Sequence, residues 1–360
     1  MFSLEKIKLT NFRCYSNYEQ DFSSKINIVI GNNATGKTSL VEAIYALGIT
    51  KSPKASSESE MIKHNEDFCS IKGWFIDENK HEVVYSISNK GNQVAKQIIK
   101  DNKKASSLSE YLGFYCVVMF SPEDIELING APLLKRRFLD TNIGQINGIY
   151  LNSLTRYRKI LKERNQLLKD IAFNGSINQD LLDIYSNELI KEAKIIIKER
   201  RKFIEKINIF FKEQVKAISY GKETAELKYM PDSSEEEIEK KFKESKSLDL
   251  LSKTTNVGPH RDDFVVEFNG YEANFASQGQ QKTFALALKL ALIDILREQS
   301  EKIIVILDDV FGELDIIRQK EIIKLLKMDY QIFITTTSIE HLDSEVLNGS
   351  NVIEIMEKGE

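Results

Sequence analysis

Hydrophobic and polar positions alternate along residues 4–10, Leu-Glu-Lys-Ile-Lys-Leu-Thr, with the period of a half-exposed strand. Ile26-Asn27-Ile28-Val29-Ile30 is instead a short, mostly apolar run, the pattern of a buried strand. Ser39 to Leu47 then places Leu40, Ala43, Ile44 and Leu47 on one helical face. Phe68–Ile76 and His81–Ser88 alternate again and are rich in β-branched and aromatic residues. Asn89-Lys90-Gly91-Asn92 has turn chemistry, and Gln93–Lys100 completes a predicted meander. Tyr115–Phe120 predicts another buried strand. Ser121-Pro122-Glu123-Asp124 predicts a helix start, with a capping serine, a first-turn proline and acids at the positive end of the dipole.

From about Ile146 to Ala172, and from about Gln179 to Ile218, the pattern turns helical and highly charged, with Asn174-Gly175-Ser176 between. This predicts an antiparallel helical hairpin. At 1.5 Å per residue the second helix reaches about 60 Å, although Ile195-Ile196-Ile197 and Ile209-Phe210-Phe211 interrupt a clean heptad and leave room for a break. A helix from Lys282 to about Arg297 and apolar strands over Lys302–Leu307 and Tyr330–Thr336 follow.

Composition changes this picture little. An apolar fraction of 42% and a charged fraction of 29% are those of a globular protein, and 360 residues suffice for one large domain or two. No apolar run approaches the roughly 20 residues that span a bilayer, and the N-terminus lacks a signal-peptide layout. Cys14, Cys69 and Cys116 lie far apart without ligand spacing, so reduced thiols and a cytoplasmic setting are expected. A net charge of −4 excludes a uniformly basic nucleic-acid binder; any DNA contact needs a local patch.

The candidate chemistry centres on Gly31-Asn32-Asn33-Ala34-Thr35-Gly36-Lys37-Thr38, which fits the phosphate-binding P-loop pattern between a strand and a helix. Backbone N–H groups and the helix start suit a phosphate, Lys37 would reach the β and γ phosphates, and Thr38 would hold Mg²⁺. Lys302–Leu307 ends in Asp308-Asp309, a buried strand delivering two carboxylates where ligands gather in a parallel sheet. One acid can hold Mg²⁺ opposite Thr38; the second can orient or deprotonate water. Hydroxyls of Thr335-Thr336-Thr337-Ser338 end the next strand and are placed to sense a γ-phosphate. Ser277-Gln278-Gly279-Gln280-Gln281 precedes the Lys282 helix. Alone it is an ordinary cap. Between a P-loop and a late acidic strand it indicates an ABC-type ATPase, in which the signature serine of one head reaches the nucleotide of another.

Other candidates stay open on residue chemistry. Arg13 is either a surface charge at a turn or an arginine returning to the phosphates. Trp74 favours packing over base stacking. Lys135-Arg136-Arg137 is either solvated or the start of a phosphate-contacting patch. Residues 151–172 carry Arg156, Arg158, Lys159, Lys162, Arg164 and Lys169 against Glu163 and Asp170, and residues 191–216 carry nine basic against four acidic residues. Such runs are normally solvated helix surface; two of them in an acidic chain raise a DNA patch as an equal alternative. Asp232, Glu235, Glu236, Glu237 and Glu239 form an acidic tract that should avoid DNA.

Taken in order, these motifs resemble the RecF family of bacterial recombination mediators, relatives of SMC-type ABC ATPases. The resemblance rests on Leu9-Thr10-Asn11-Phe12-Arg13, Gly31–Thr38, Ser121–Asp124, Arg136-Arg137-Phe138-Leu139-Asp140, Gly258-Pro259-His260-Arg261-Asp262-Asp263-Phe264, Ser277–Gln281 and Leu307–Asp315. It implies an α/β fold: an ABC-type P-loop ATPase head, mixed sheet plus antiparallel β subdomain, over residues 1–145 and 250–360, with a helical lobe inserted over 146–249. It implies an ATP-dependent homodimer, DNA binding at single-strand gaps or duplex junctions, and slow DNA-stimulated hydrolysis. It further implies a role with RecO and RecR in loading RecA, in gap repair, replication restart and SOS induction. Carried over by motif, Arg13, Gly31 to Ser39, Ser277, Gln278, Gly279 and Thr337 would touch nucleotide. Thr38 and Asp308 would bind Mg²⁺, Asp309 would align water, Ser277 would act in trans, and Gly312–Asp315 would form the D-loop at the dimer interface. Arg136, Arg137, Arg156, Arg158, Lys162, Lys198, Arg200 and Arg201 are the candidate DNA contacts.

The chain departs from the pattern in places. Ser39 stands where the family commonly has Asn. Asp309 and Thr337 stand where ABC proteins in general have Glu and a switch His, and no Q-loop glutamine is evident near Ser121. Gly258–Phe264 has no role derived from its residues. Another SMC-like ATPase acting on DNA ends is the alternative function. A metabolic P-loop kinase leaves Ser277-Gln278-Gly279 and the hairpin without a use, and the helical insertion is too short for an SMC tether.

Overall fold

A computed structural model gives the fold and describes residues 1–55, 57–90, 93–174, 179–313, 318, 319, 322, 324, 330–339, 342 and 344–356. The chain forms two compact units, residues 1–124 with 292–360, and residues 125–291.

The first unit holds two sheets. Strands β1 (Ser3–Phe12), β2 (Tyr15–Asp21), β4 (Phe68–Ile76), β5 (Lys80–Lys90), β6 (Gln93–Lys100) and β7 (Lys103–Lys104) form an antiparallel sheet in the order β2-β1-β4-β5-β6-β7. The predicted meander is its centre; its turn residues Gly91 and Asn92 lie outside the described residues. Strands β3 (Ile26–Ile30), β8 (Cys116–Phe120), β12 (Ile303–Asp308), β13 (Gln331–Thr336) and β14 (Asn351–Glu354) form a parallel sheet in the order β14-β3-β13-β12-β8.

Helix α1 (Lys37–Ile49) packs on strands of both sheets, so it is apolar almost all round. Val41, Ala46 and Ile49 are buried along with the predicted face of Leu40, Ala43, Ile44 and Leu47. They share one core with Leu4, Ile7, Ile71, Phe75, Val83 and Tyr85 of the antiparallel sheet and Ile304, Ile306 and Phe333 of the parallel one. Each such side chain contributes about 1.5–3 kcal/mol of burial, which fixes the start of α1 against the strand ends. A short helix α2 (Leu108–Tyr111) leads into β8. Trp74 is not in the core: it is half-buried on the outer face of β4, with the Lys72 ammonium 4.7 Å from its ring centre.

The second unit holds α3 (Glu126–Asn129), α4 (Pro132–Ile146), α5 (Gly148–Asn174), α6 (Gln179–Ile218), α7 (Ile238–Ser252) and a sheet of β9 (Ala225–Met230), β10 (Asp263–Phe268) and β11 (Tyr271–Glu272). Helix α8 (Gln278–Arg297) starts here and its last turns belong to the first unit. The predicted helix at Ser121 begins as a single 3-10 turn, Pro122–Ile125, and Asp124 accepts the Ser121 N–H at 3.0 Å.

Three expectations change here. The lobe is not purely helical, because β9 pairs with β10 over Ala225–Met230 and Asp263–Phe268. The compact units divide at 124/125 and 291/292, where the sequence reading set its limits at 145/146 and 249/250. Helix α6 is also unbroken over 40 residues. Leu182, Leu189, Ala193, Ile196, Ile197, Phe203, Ile204, Ile207, Phe211 and Val215 are buried along one stripe, which runs through both apolar triplets although Ile209 itself is exposed. The loop residues Gly175 and Ser176 lie outside the described residues.

Candidate nucleotide-binding site

The loop of residues 31–36 joins β3 to α1 at the C-terminal edge of the parallel sheet. Gly36 caps α1 at φ 110°, ψ 3°, a backbone state that costs an L side chain dearly. A Cβ at Gly36 would also stand 2.8 Å from the Tyr15 hydroxyl and 2.9 Å from Cys14 Sγ. The Tyr15 hydroxyl donates to the Gly36 carbonyl at 3.1 Å, so the β1–β2 turn supports the loop from outside. The Lys37 ammonium donates to the carbonyls of Gly31 and Asn32, both at 2.8 Å. It thus closes the loop on itself from a buried position.

Two strands away, β12 delivers Asp308, which is 1% exposed. Its Oδ1 accepts the hydroxyls of Thr38 at 3.0 Å and Thr335 at 2.8 Å. The Thr335 hydroxyl oxygen also accepts the Asp309 N–H at 2.9 Å. The register explains this: Asp308 pairs with Thr335, and Thr336 with Ile30, so the three strand ends lie level. Asp309 takes a left-handed conformation at φ 53°. Burial and the neighbouring Asp308 push its carboxyl above its ordinary value.

The arrangement fits both parts of a metal–nucleotide. Hard oxygen donors suit Mg²⁺, and Thr38 and Asp308 already touch. Lys37 and the amides at the start of α1 are the groups that suit a phosphate, and the loop needs glycine to hold its shape: a Cβ at Gly31 would stand 2.6 Å from the Ile355 carbonyl. Asn32, Asn33 and Ala34 are exposed around it, while Thr35 and Ser39 are half-buried. Thr337 is exposed, and Thr335, not Thr337, contacts the acidic pair.

Arg13 departs from the expected role. All three of its donor nitrogens are engaged: Nε and Nη2 with Glu42 at 2.9 and 2.6 Å, and Nη1 with the Glu60 carbonyl at 2.8 Å. It faces a buried carboxylate on α1, which corrects the reading of a side chain free for phosphate. Burial lowers its pKa, but the Glu42 carboxylate more than reverses this. Sequence reasoning passed over Glu42 and Lys54, and gave Thr335 only as one of four hydroxyl residues at a strand end. The Lys54 ammonium lies 3.0 Å from Asp308 Oδ2.

The signature residues lie on the second unit. Ser277 and Gln280 form a reciprocal cap: Gln280 Oε1 accepts the Ser277 N–H at 3.0 Å, and Ser277 Oγ accepts the Gln280 N–H at 3.3 Å. Ser277, Gln278 and Gly279 are all exposed at the start of α8. Of the D-loop, Leu314 and Asp315 lie outside the described residues.

The basic candidates separate sharply. Arg200 is 2% exposed and cannot contact DNA. It donates to Asp140 at 2.7 Å, to Asp262 at 2.8 Å and to the Pro259 carbonyl at 2.6 Å. Arg158 pairs with Asp140 at 2.6 Å, Arg136 donates to the Asp262 carbonyl at 2.7 Å, and Arg201 faces Glu235 at 3.7 Å. Arg164, counted among the basic residues of the first helix, is buried against Asp249 at 2.8 Å. Arg137, Arg156, Lys162 and Lys198 are exposed, Arg156 with Glu192 at 3.7 Å, and Arg158 is exposed beside its pair. The acidic tract does not stand apart, since Glu239 accepts from Lys194 at 2.5 Å. Gly258–Phe264 acquires a structural role: Asp262 takes Arg200 and the Asp232 N–H, and His260 Nδ1 lies 2.6 Å from the Tyr157 hydroxyl.

With this geometry in hand, similarity to known proteins is decisive. The RecF/RecN/SMC N terminal domain matches residues 3–357. The DNA replication and repair protein RecF of Bacillus cereus (strain AH820) is 38% identical over 365 residues, spanning 98% of this chain and 96% of the relative. The chain belongs to the RecF family. The recombination mediator protein RecF of the RecFOR pathway, solved as RecF-ATPrS, is 36% identical. It aligns with a TM-score of 0.86 over 95% of this chain and 94% of that one. The Smc head domain of Pyrococcus furiosus, solved with an extended coiled coil and the C-terminal domain of ScpA, aligns with a TM-score of 0.51. It is 18% identical over 94% of this chain and 90% of that one, a likeness of fold alone. The architecture shared by RecF and SMC heads is the ABC-type ATPase head expected from the motifs. Among the described residues, no helix is long and apolar enough to cross a membrane.

Proposed function

We propose that this protein is an ATP-driven DNA switch acting as a recombination mediator. The observation that carries this reading is the convergence of Lys37, Thr38, Asp308 and Asp309 at the level ends of β3, β12 and β13. Lys37 is placed to exchange its two carbonyl partners for phosphate oxygens. Thr38 and Asp308 would hold Mg²⁺, which when bound neutralises phosphate charge and orients the terminal phosphate. Asp309, next along the chain, aligns the attacking water. Its short side chain is consistent with slow turnover.

Exposed Ser277, Gln278 and Gly279 then meet the phosphate held by a second copy, so that ATP closes a homodimer. DNA contact falls to Arg137, Arg156, Lys162 and Lys198, exposed candidates none of which is held as closely as Arg158 is by Asp140. The names of the relatives support work in DNA replication and repair within a RecFOR pathway, hence with RecO and RecR. RecA loading at single-strand gaps, replication restart and SOS induction are the finer parts of the same reading. Lys37→Met is expected to abolish nucleotide binding, dimerisation and tight DNA binding together. Binding of DNA by this variant at wild-type affinity without ATP refutes the switch.

A further inference from the structure

The segment after α1 enters the nucleotide site, although no motif marks it. Ser52 lies three residues past the end of α1 and its hydroxyl donates to the buried Glu42 carboxylate. The same oxygen accepts the N–H groups of Lys54 at 3.0 Å and Ala55 at 2.8 Å. Glu42 is in turn gripped by Arg13 through two nitrogens. Arg13, Glu42 and Ser52 thus form a chain of charge-assisted hydrogen bonds that fixes the backbone at Lys54.

From that anchor the Lys54 side chain reaches Asp308. Asp308 Oδ1 is occupied by the hydroxyls of Thr38 and Thr335, and its Oδ2 by the Lys54 ammonium at 3.0 Å. Glu123 lies 4.0 Å from the same ammonium. A carboxylate this buried, beside a second acid at Asp309, needs a nearby positive charge. Lys37 donates instead to the Gly31 and Asn32 carbonyls, so the cation bonded directly to Asp308 is Lys54.

We propose that Lys54 is a positioning residue of the nucleotide site: it is the resident counter-ion of Asp308, held there by Arg13, Glu42 and Ser52, and it leaves when a divalent cation binds the same carboxylate. The proposal rests on the reading of Asp308 as a metal ligand. It assigns Arg13 the task of holding Lys54 in place. It also makes metal affinity a competition between Mg²⁺ and a side chain.

The test needs two arms. In the first, binding of a slowly hydrolysed ATP analogue is followed by fluorescence while Mg²⁺ is titrated. Lys54→Met is expected to lower the half-saturating Mg²⁺ concentration about tenfold, the size of one charge-assisted hydrogen bond removed. Lys54→Arg restores the wild-type midpoint. An unchanged or higher midpoint overturns the proposal, since Lys54 then does not compete with the cation. The second arm uses no nucleotide. In metal-free buffer, thermal unfolding of Lys54→Met, Asp308→Asn and the double variant forms a cycle. The proposal expects the double variant to lose less than the sum of the singles, and Mg²⁺ alone to raise the Tm of Lys54→Met more than that of wild type. Additive losses overturn it. If wild type binds no nucleotide at any Mg²⁺ concentration, the parent reading falls, while the second arm still decides whether Lys54 neutralises Asp308.

Discussion

The P-loop edge of the first unit and the basic helices of the second present opposite relations between sequence and charge. At the P-loop edge, Lys37, Thr38, Asp308 and Asp309 sit where their motifs place them, because the spacing is set by one loop and by strands in register. In the basic helices, counting charges misleads. Arg200 and Arg164 look like surface charges but are 2% and 1% exposed, and their ion-pair partners lie 60 or more residues away along the chain. A P-loop is local chemistry; the fate of an arginine on a long helix is decided by what packs against it.

The comparison can be broken most severely at Arg200. If it is a buried ion-pair partner, Arg200→Met leaves Asp262 without its cation and Asp140 with Arg158 alone, and costs about 3–5 kcal/mol by denaturant unfolding. Lys198→Met, two residues away and exposed, should change stability by no more than about 0.5 kcal/mol. Equal effects at the two positions contradict the burial account.

Acid sharpens the same point. Burial raises the Asp140 carboxyl, but Arg200, Arg158 and the Tyr150 hydroxyl more than reverse this and hold it below its ordinary value. Because the folded value is depressed, the stabilisation is present above about pH 4, the unfolded carboxylate value, and is lost as pH falls through the folded value. Asp140→Asn should therefore flatten the acid limb of the stability–pH curve measured between pH 6 and about 3. An unaltered limb removes Asp140 from the network.

The smallest effects belong to the exposed cations. Reversing Arg137, Arg156, Lys162 or Lys198 should lower the slope of log affinity for duplex DNA against log salt by about 0.9 for each phosphate no longer neutralised. Arg158 and Arg201, which face Asp140 and Glu235, should lower it less. A slope indifferent to all four exposed residues takes these helices out of the DNA interface.

These contrasts show where the sequence was legible. The parallel sheet, the antiparallel meander and the two long helices follow from hydrophobic period, and the P-loop from spacing. The β9–β10 pair was not legible because Ala225–Met230 and Asp263–Phe268 find each other across 30 or more residues. The strand end offered Thr335 to Ser338 alike and the family resemblance singled out Thr337, whereas register with Asp308 is what selects Thr335. One signal was available: Arg200 falls on the stripe of Ile196, Ile197, Phe203 and Ile204, and a charge inside an apolar stripe is a buried pair in waiting. Glu42 carries the same signal on α1, and Arg13 answers it.

The central claim is that nucleotide joins two copies through Ser277, and the most direct measurement is solution mass. Wild type and Ser277→Arg are compared with and without ATP–Mg²⁺ under non-hydrolysing conditions. The account predicts that wild type doubles its mass only with nucleotide, while Ser277→Arg binds nucleotide and stays monomeric. A Ser277→Arg variant that dimerises as wild type does, or a wild type whose mass never changes with DNA also present, contradicts it.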